Sequence, residues 1–178
     1  MDSSIIFYVK DNLEYKKDYS FSTDSECYSI IQIKDNEICY SVYNKICFYD
    51  LLEKKNINSI SNISKTDDAL GFFLMISKEL LVIPGKEKIS IVNVNEYKLV
   101  RIIQVPGASW IYNICMVNKN MILTGDSSNA LRQWRIEGDN LILYSKHEKA
   151  HDNSIFVLLN LGNGHIASGS DDHTIKIW

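Results

Sequence analysis

His147 and His151 have the HxxxH spacing that suits a zinc ion, but no cysteine and no second histidine pair stands nearby to complete a ligand set. His151, Ser168 and Asp172 are the residue types of a hydrolase triad, and Asp171-Asp172 has the look of a paired carboxylate. Gly162 to Gly169 (GNGHIASG) is glycine-rich, yet too many residues precede its third glycine for a dinucleotide fingerprint, and it falls in a strand hairpin rather than before a helix. No GxSxG, HExxH or P-loop sequence occurs. No catalytic residue, no metal site and no cofactor is therefore expected.

These residues lie in a run of short strands and turns. From Ala150 onward the chain carries a histidine in a polar loop, an apolar run from Ile155 to Leu161, a glycine-rich turn, HIASGS, a DDHT turn and IKIW. The run repeats: Trp110 to Trp134 lies without a gap on Ser154 to Trp178, at an offset of 44 residues. Ile111, Ile122, Gly125 and Trp134 match Ile155, Ile166, Gly169 and Trp178, with Thr124 standing for Ser168 and Tyr112 for Phe156. Fainter copies precede these. Leu80 to Val94 offers a second strand, a turn and a third strand, with Val92 near the tryptophan place; Glu37 to Asp50 ends in Tyr49-Asp50, and the opening IIFYV puts Tyr8 there. The anchors Tyr8, Tyr49, Val92, Trp134 and Trp178 are 41, 43, 42 and 44 residues apart, the period of a four-stranded unit.

This order of His, Ser, Asp and Trp resembles the WD40 repeat, one blade of a β-propeller. The resemblance extends along the whole chain and is most specific from His151 to Trp178. It implies an all-β chain of WD40-like four-stranded antiparallel blades in an incomplete or open propeller. Residues 1–178 would form a single region, with blades at about 1–19 (partial), 28–60, 71–105, 109–146 and 150–178 (partial). It also implies a structural tetrad of His151, Ser168, Asp172 and Trp178, in which the indole reaches the serine, the serine bonds the histidine and the aspartate holds the histidine. A buried hydroxyl bonded in that way is not a nucleophile. Thr124 and Trp134 would be a partial tetrad. There Gly107 takes the histidine place and Ser128 the aspartate place, so the polar chain is expected to be absent and the blade to rely on apolar packing alone.

Period-2 alternation and turn residues place the strands. The expected strands are Tyr28 to Ile33, Glu37 to Ser41, Lys45 to Tyr49 and Ile57 to Ile60, followed by Gly71 to Ile76, Leu80 to Ile83, Lys88 to Val92 and Leu99 to Val105. Ile111 to Met116, Met121 to Thr124, Leu131 to Arg135 and Leu141 to Ser145 come next, and then Ile155 to Leu159, His165 to Ser168 and Thr174 to Trp178. Ser4 to Val9 and Leu13 to Tyr19 read as the third and outer strands of another blade. Three arrangements fit: part of a longer propeller, an arc completed by another chain or by self-association, or a four-bladed ring closed by Leu13 to Tyr19.

With 178 residues, 46% of them hydrophobic, the chain can bury a core, and one domain is the default. Apolar stretches such as Ile5 to Val9 and Ala69 to Ile76 are far shorter than the roughly 20 residues that span a bilayer. The acidic start and brief apolar run of MDSSIIFYVK do not fit a signal peptide, so a cytoplasmic or nuclear protein is expected, with no membrane partner. Cys27, Cys39, Cys47 and Cys115 lack disulfide-framework spacing; Cys39 and Cys47 could face each other across a hairpin, though reduced thiols are favoured. A net charge of −3 and scattered lysines give no case for nucleic acid.

Two function classes follow. The resemblance implies a non-catalytic scaffold that binds peptides or domains of other proteins. The alternative is a catalytic or small-molecule-binding propeller of another lineage, which would want carboxylates or histidines on the inner strands. Those strands are almost purely apolar, with Gln32 and Asn113 as their amides. In the family, loops entering the first strand and turns between the second and third strands share one rim. Here that rim would hold Ser109, Trp110, Asp152, Asn153, Ser154, Asp126, Ser127 and Asp171, with Trp110 and Asp152 flanking one protein-binding patch. Trp110 can serve there or pack as core.

Overall fold

The computed structural model describes residues 3–43, 45–63 and 71–178. Among them no helix forms, and the strands build five antiparallel sheets. The first sheet pairs β1 (Ser4–Asp11) with β2 (Glu14–Ser22). In the second, β3 (Cys27–Lys34), β4 (Glu37–Val42), β5 (Lys45–Asp50) and β6 (Lys55–Ile60) follow in chain order. The third has β7 (Leu74–Met75), β8 (Leu80–Gly85), β9 (Lys88–Asn93) and β10 (Lys98–Gln104). In the fourth are β11 (Ile111–Asn118), β12 (Met121–Asp126), β13 (Leu131–Glu137) and β14 (Asn140–His147). β15 (Ile155–Gly162), β16 (His165–Ser170) and β17 (Ile175–Ile177) make the fifth.

The sheets stack in chain order, because each junction holds its own apolar core. Ile5 packs with Ile38, Tyr40 and Cys47 between the first two sheets, and Cys39, Phe48, Leu81 and Val92 meet between the second and third. Val82, Ile91, Ile111 and Trp134 fill the next junction, and Leu123, Leu131, Ile155 and Ile166 the last. A middle strand is thus covered on both faces. That is why β4, β8 and β12 are buried almost without a break, whereas the outer β6, β10 and β14 are largely exposed.

Four of the five anchors sit at a backbone irregularity. The pairing of third with fourth strand slips between Phe7 and Tyr8, between Phe48 and Tyr49, and between Gln133 and Trp134; in the third sheet the slip falls on the strand opposite Val92, between Leu99 and Arg101. Such a bulge bends the strand and re-aims the side chain that follows it. Tyr49, Val92 and Trp134 turn into the junction with the preceding sheet and are buried, while Tyr8 is exposed.

Three expectations are corrected by the structure. The strand expected over Gly71 to Ile76 is regular only at Leu74–Met75. Gly71 N–H still donates to the Pro84 carbonyl of β8 at 3.0 Å, but Phe72 N–H donates to the Tyr112 carbonyl at 3.2 Å and Phe73 N–H to Ser29 Oγ at 3.1 Å. The start of that apolar run, Ala69 and Leu70, lies outside the described residues. Ring closure through Leu13 to Tyr19 does not occur among the described residues, since β2 pairs with β1 and β17 with β16 alone. Nor do Cys39 and Cys47 face each other. The β4–β5 register sets Cys39 against Phe48 and Tyr40 against Cys47, which sends the two thiols into different cores.

Gly125 sets how closely the fourth and fifth sheets approach. A Cβ there would stand 2.6 Å from Ile155 Cγ2, a contact that the buried isoleucine can relieve only by moving. Its counterpart Gly169 would meet Val157 at an ordinary 3.7 Å. Gly125→Ala is expected to destabilise the chain by about 1–3 kcal/mol in a denaturant melt, with Gly169→Ala close to neutral. Equal costs at both sites would show that the junction is not set by this contact.

Candidate functional site

The loop before β15 and the turn between β16 and β17 bring four polar side chains together. Trp178 Nε1–H donates to Ser168 Oγ at 2.8 Å, and Ser168 Oγ lies 2.6 Å from His151 Nε2. His151 Nδ1 is 2.7 Å from Asp172 Oδ2. A carboxylate can only accept, so His151 Nδ1–H donates to Asp172. Burial draws the Asp172 carboxyl upward, but hydrogen bonds from the Thr174 hydroxyl, the Asp152 amide, His151 and the Thr174 amide outweigh it and hold the group far below the usual carboxylate range. Ser168 and His151 are buried, and both polar positions of the imidazole are spent. This geometry orders a turn; it does not activate a nucleophile. His147 lies edge-on to Trp178 at 5.0 Å, the indole that His151 approaches at 6.4 Å, while both His151 ring nitrogens are engaged by Asp172 and Ser168.

In the fourth sheet the expected reliance on apolar packing alone is overturned. Trp134 Nε1–H still donates to Thr124 Oγ1 at 3.0 Å, so the partial tetrad forms. Around it a different polar set has been built. Arg132 and Asp126, both fully buried, form an ion pair, and Arg132 Nη2–H donates to the Gly107 carbonyl at 3.1 Å. Ser128 serves Asp126 twice, through its amide at 2.8 Å and its hydroxyl. At the 44-residue offset Arg132 corresponds to Lys176, whose ammonium donates to the Ala150 carbonyl at 2.7 Å, so the entry loop is pinned from the third strand in both sheets. The acid has moved from the turn to the end of the second strand, and a guanidinium replaces the imidazole.

The rim residues expected at one end of the sheets do gather there, through backbone bonds between entry loops and turns. Ser127 N–H donates to the Trp110 carbonyl at 2.8 Å while Trp110 N–H donates to Ser127 Oγ at 2.9 Å. The Ser109 carbonyl accepts from Glu87 N–H at 2.7 Å, and the Ser154 carbonyl from Asp171 N–H at 3.1 Å. Ser109, Asp152, Asn153 and Asp171 are exposed, and Ser127, Ser154 and Trp110 are half-buried. Asp126 is not a rim residue: its carboxylate is sealed against Arg132.

Beside Trp110 opens an apolar cleft of about 530 Å³. Its walls include Tyr28, Phe72, Trp110, Tyr112 and Phe156, contributed by four successive sheets. Trp110 lies parallel to Tyr112 at 6.5 Å, and Tyr112 stacks on Phe156 at 4.6 Å. Asp152 and Asp171 stand on the same rim without lining the cleft. Tyr28, Phe72 and Phe156 were not expected as site residues. The signal was present as an aromatic at one place of each first strand, but an apolar inner strand reads as core.

No protein-family model matches the sequence, and neither does any curated protein. Solved structures do. The chain is similar to the WD40 β-propeller domain of Doa1, with a TM-score of 0.76 and 17% identity over 91% of this chain and 54% of that one. It is also similar to a chain of the Mitotic Checkpoint Complex, with a TM-score of 0.82 and 14% identity over 99% of this chain and 56% of that one. It spans about half the length of both. The fold is that of part of a WD40-type β-propeller.

Two polar sets make separate predictions. His151→Ala should destabilise the chain by about 1–3 kcal/mol by stranding Ser168 and Asp172. Adding Asp172→Ala should cost clearly less than the separate effects summed, and strict additivity in the cycle would dissolve the network. Arg132→Met should cost about 3–5 kcal/mol by leaving a carboxylate buried and unpaired, with Asp126→Ala in the same chain restoring most of the loss. An unchanged urea midpoint for the single variant would show that the pair contributes nothing.

Proposed function

We propose that this chain, folded as part of a WD40-type β-propeller, is a protein-interaction scaffold, and that the rim around Trp110 is its binding surface. The observation that carries the reading is the aromatic cleft. Four sheets contribute to it, it opens on the rim, and its indole is only half-buried although the neighbouring Ala108 and Ile111 are buried. Large aromatics in such settings dominate interface energetics. One structural neighbour belongs to a protein complex, which supports the same reading. The partners are other proteins, met by a rigid surface without chemistry. Trp110 and Asp152 flank the patch, with Ser109, Asn153, Ser154, Ser127 and Asp171 around it.

Trp110→Ala tests this directly. Its backbone bonds to Ser127 survive the substitution, so the expected outcome is loss of captured partner proteins with a melting temperature lowered by no more than about 4 °C. A large fall in melting temperature would place the indole in the core, and unchanged capture would remove it from the interface.

A further inference from the structure

We infer that the cleft binds cationic side chains of a basic peptide segment, held on a collar of aromatic rings contributed by successive sheets; the inference rests on the rim being a protein-binding surface. The first observation is positional. Tyr28, Phe72, Tyr112 and Phe156 stand 44, 40 and 44 residues apart, each at or beside the start of a first strand. Each sheet from the second to the fifth therefore presents one ring at the same level. The core does not require them. Tyr28, Phe72 and Phe156 are 40%, 53% and 36% exposed, while their chain neighbours Ser29, Phe73 and Ile155 are buried. An exposed aromatic recurring where any residue would satisfy the strand points to a ligand.

The second observation selects the ligand's charge. The Lys86 ammonium lies 5.5 Å from the centre of the Trp110 ring, so the collar already holds one cation on an aromatic face. Around it, once the Asp24–Lys45, Arg132–Asp126 and Lys146–Glu148 pairs are set aside among the described residues, Glu26, Glu87, Asp152, Asp171 and Asp172 stand against Lys86, Lys88, Lys149 and Lys176, and of these cations Lys88 is buried and the Lys176 ammonium is turned to the Ala150 carbonyl. Glu26 is tied to the collar itself, accepting from the Tyr28 hydroxyl at 2.5 Å. Ring faces carry negative potential, and an acidic rim adds to it. Such a surface attracts lysine and arginine side chains and repels acidic segments and phosphodiester backbones.

Fluorescence anisotropy with the whole chain tests this, using short capped Ser-Gly peptides that carry arginines, leucines or glutamates, and an oligouridine RNA. The arginine peptide is expected to bind most tightly and to weaken as salt is raised. Phe156→Leu and Tyr112→Leu keep the apolar volume but remove the ring face, so they should weaken it roughly fivefold with little change in melting temperature. Lys86→Ala frees the indole face and should tighten it. Equal or better binding of the leucine peptide, of the glutamate peptide or of the RNA would overturn the inference, as would arginine-peptide binding that Phe156→Leu leaves unchanged. The rim itself is decided separately by the Trp110→Ala capture. A leucine preference with capture lost ends only the cation, whereas capture intact in that variant ends the rim.

Discussion

A four-stranded sheet with two apolar faces cannot bury both by itself, and everything in this chain follows from that constraint. Each interior sheet finds cover on one side from the sheet before it and on the other from the sheet after it, so the stack is held by a series of thin cores rather than one large one. Gly125 marks how near the approach becomes, with Ile155 pressed against the backbone of β12. Covering both faces also makes the junctions dry. Polar groups that must enter them, above all those of the entry loops, have to be matched inside the protein.

The fourth and fifth sheets solve that matching problem with different chemistry. In the fifth, an imidazole links carboxylate to hydroxyl, and the hydroxyl accepts from the indole. The fourth uses a guanidinium, which satisfies a buried carboxylate and a loop carbonyl at once with its forked donors. Thr124 and Trp134 keep the remaining half of the arrangement. Both answers pin the entry loop to the strands behind it, and both thereby hold the rim on which Trp110 and Asp152 sit.

Much of the fold was legible because strand periodicity and a fixed repeat are local signals. The offset of 44 residues aligned Trp134 with Trp178, and the structure gives both indoles a hydroxyl acceptor. The relocated ion pair was not legible. Position by position, Ser128 fails to replace Asp172, and nothing in a one-dimensional comparison shows that Asp126, two residues earlier, has taken over with Arg132. Asp126 was accordingly misplaced on the surface. The aromatic collar escaped for a related reason: alternation separates apolar from polar, but Tyr28, Phe72 and Phe156 are apolar residues on the open side. Only the register shows which face of an inner strand is already taken by core.

Because every core lies between consecutive sheets, the contacts that stabilise the chain run within a hairpin or from one sheet to the next. Hairpin pairing within a sheet closes only short loops, while each junction joins segments about 40 residues apart. Any hairpin can nucleate, and ordering spreads sheet by sheet along a one-dimensional array with nearest-neighbour couplings. Cooperativity in such an array is a property of the junctions, not of the sheets. Gly125 and Trp134 lie at such junctions, whereas the outer strands β6 and β14 lie at the sheet edges.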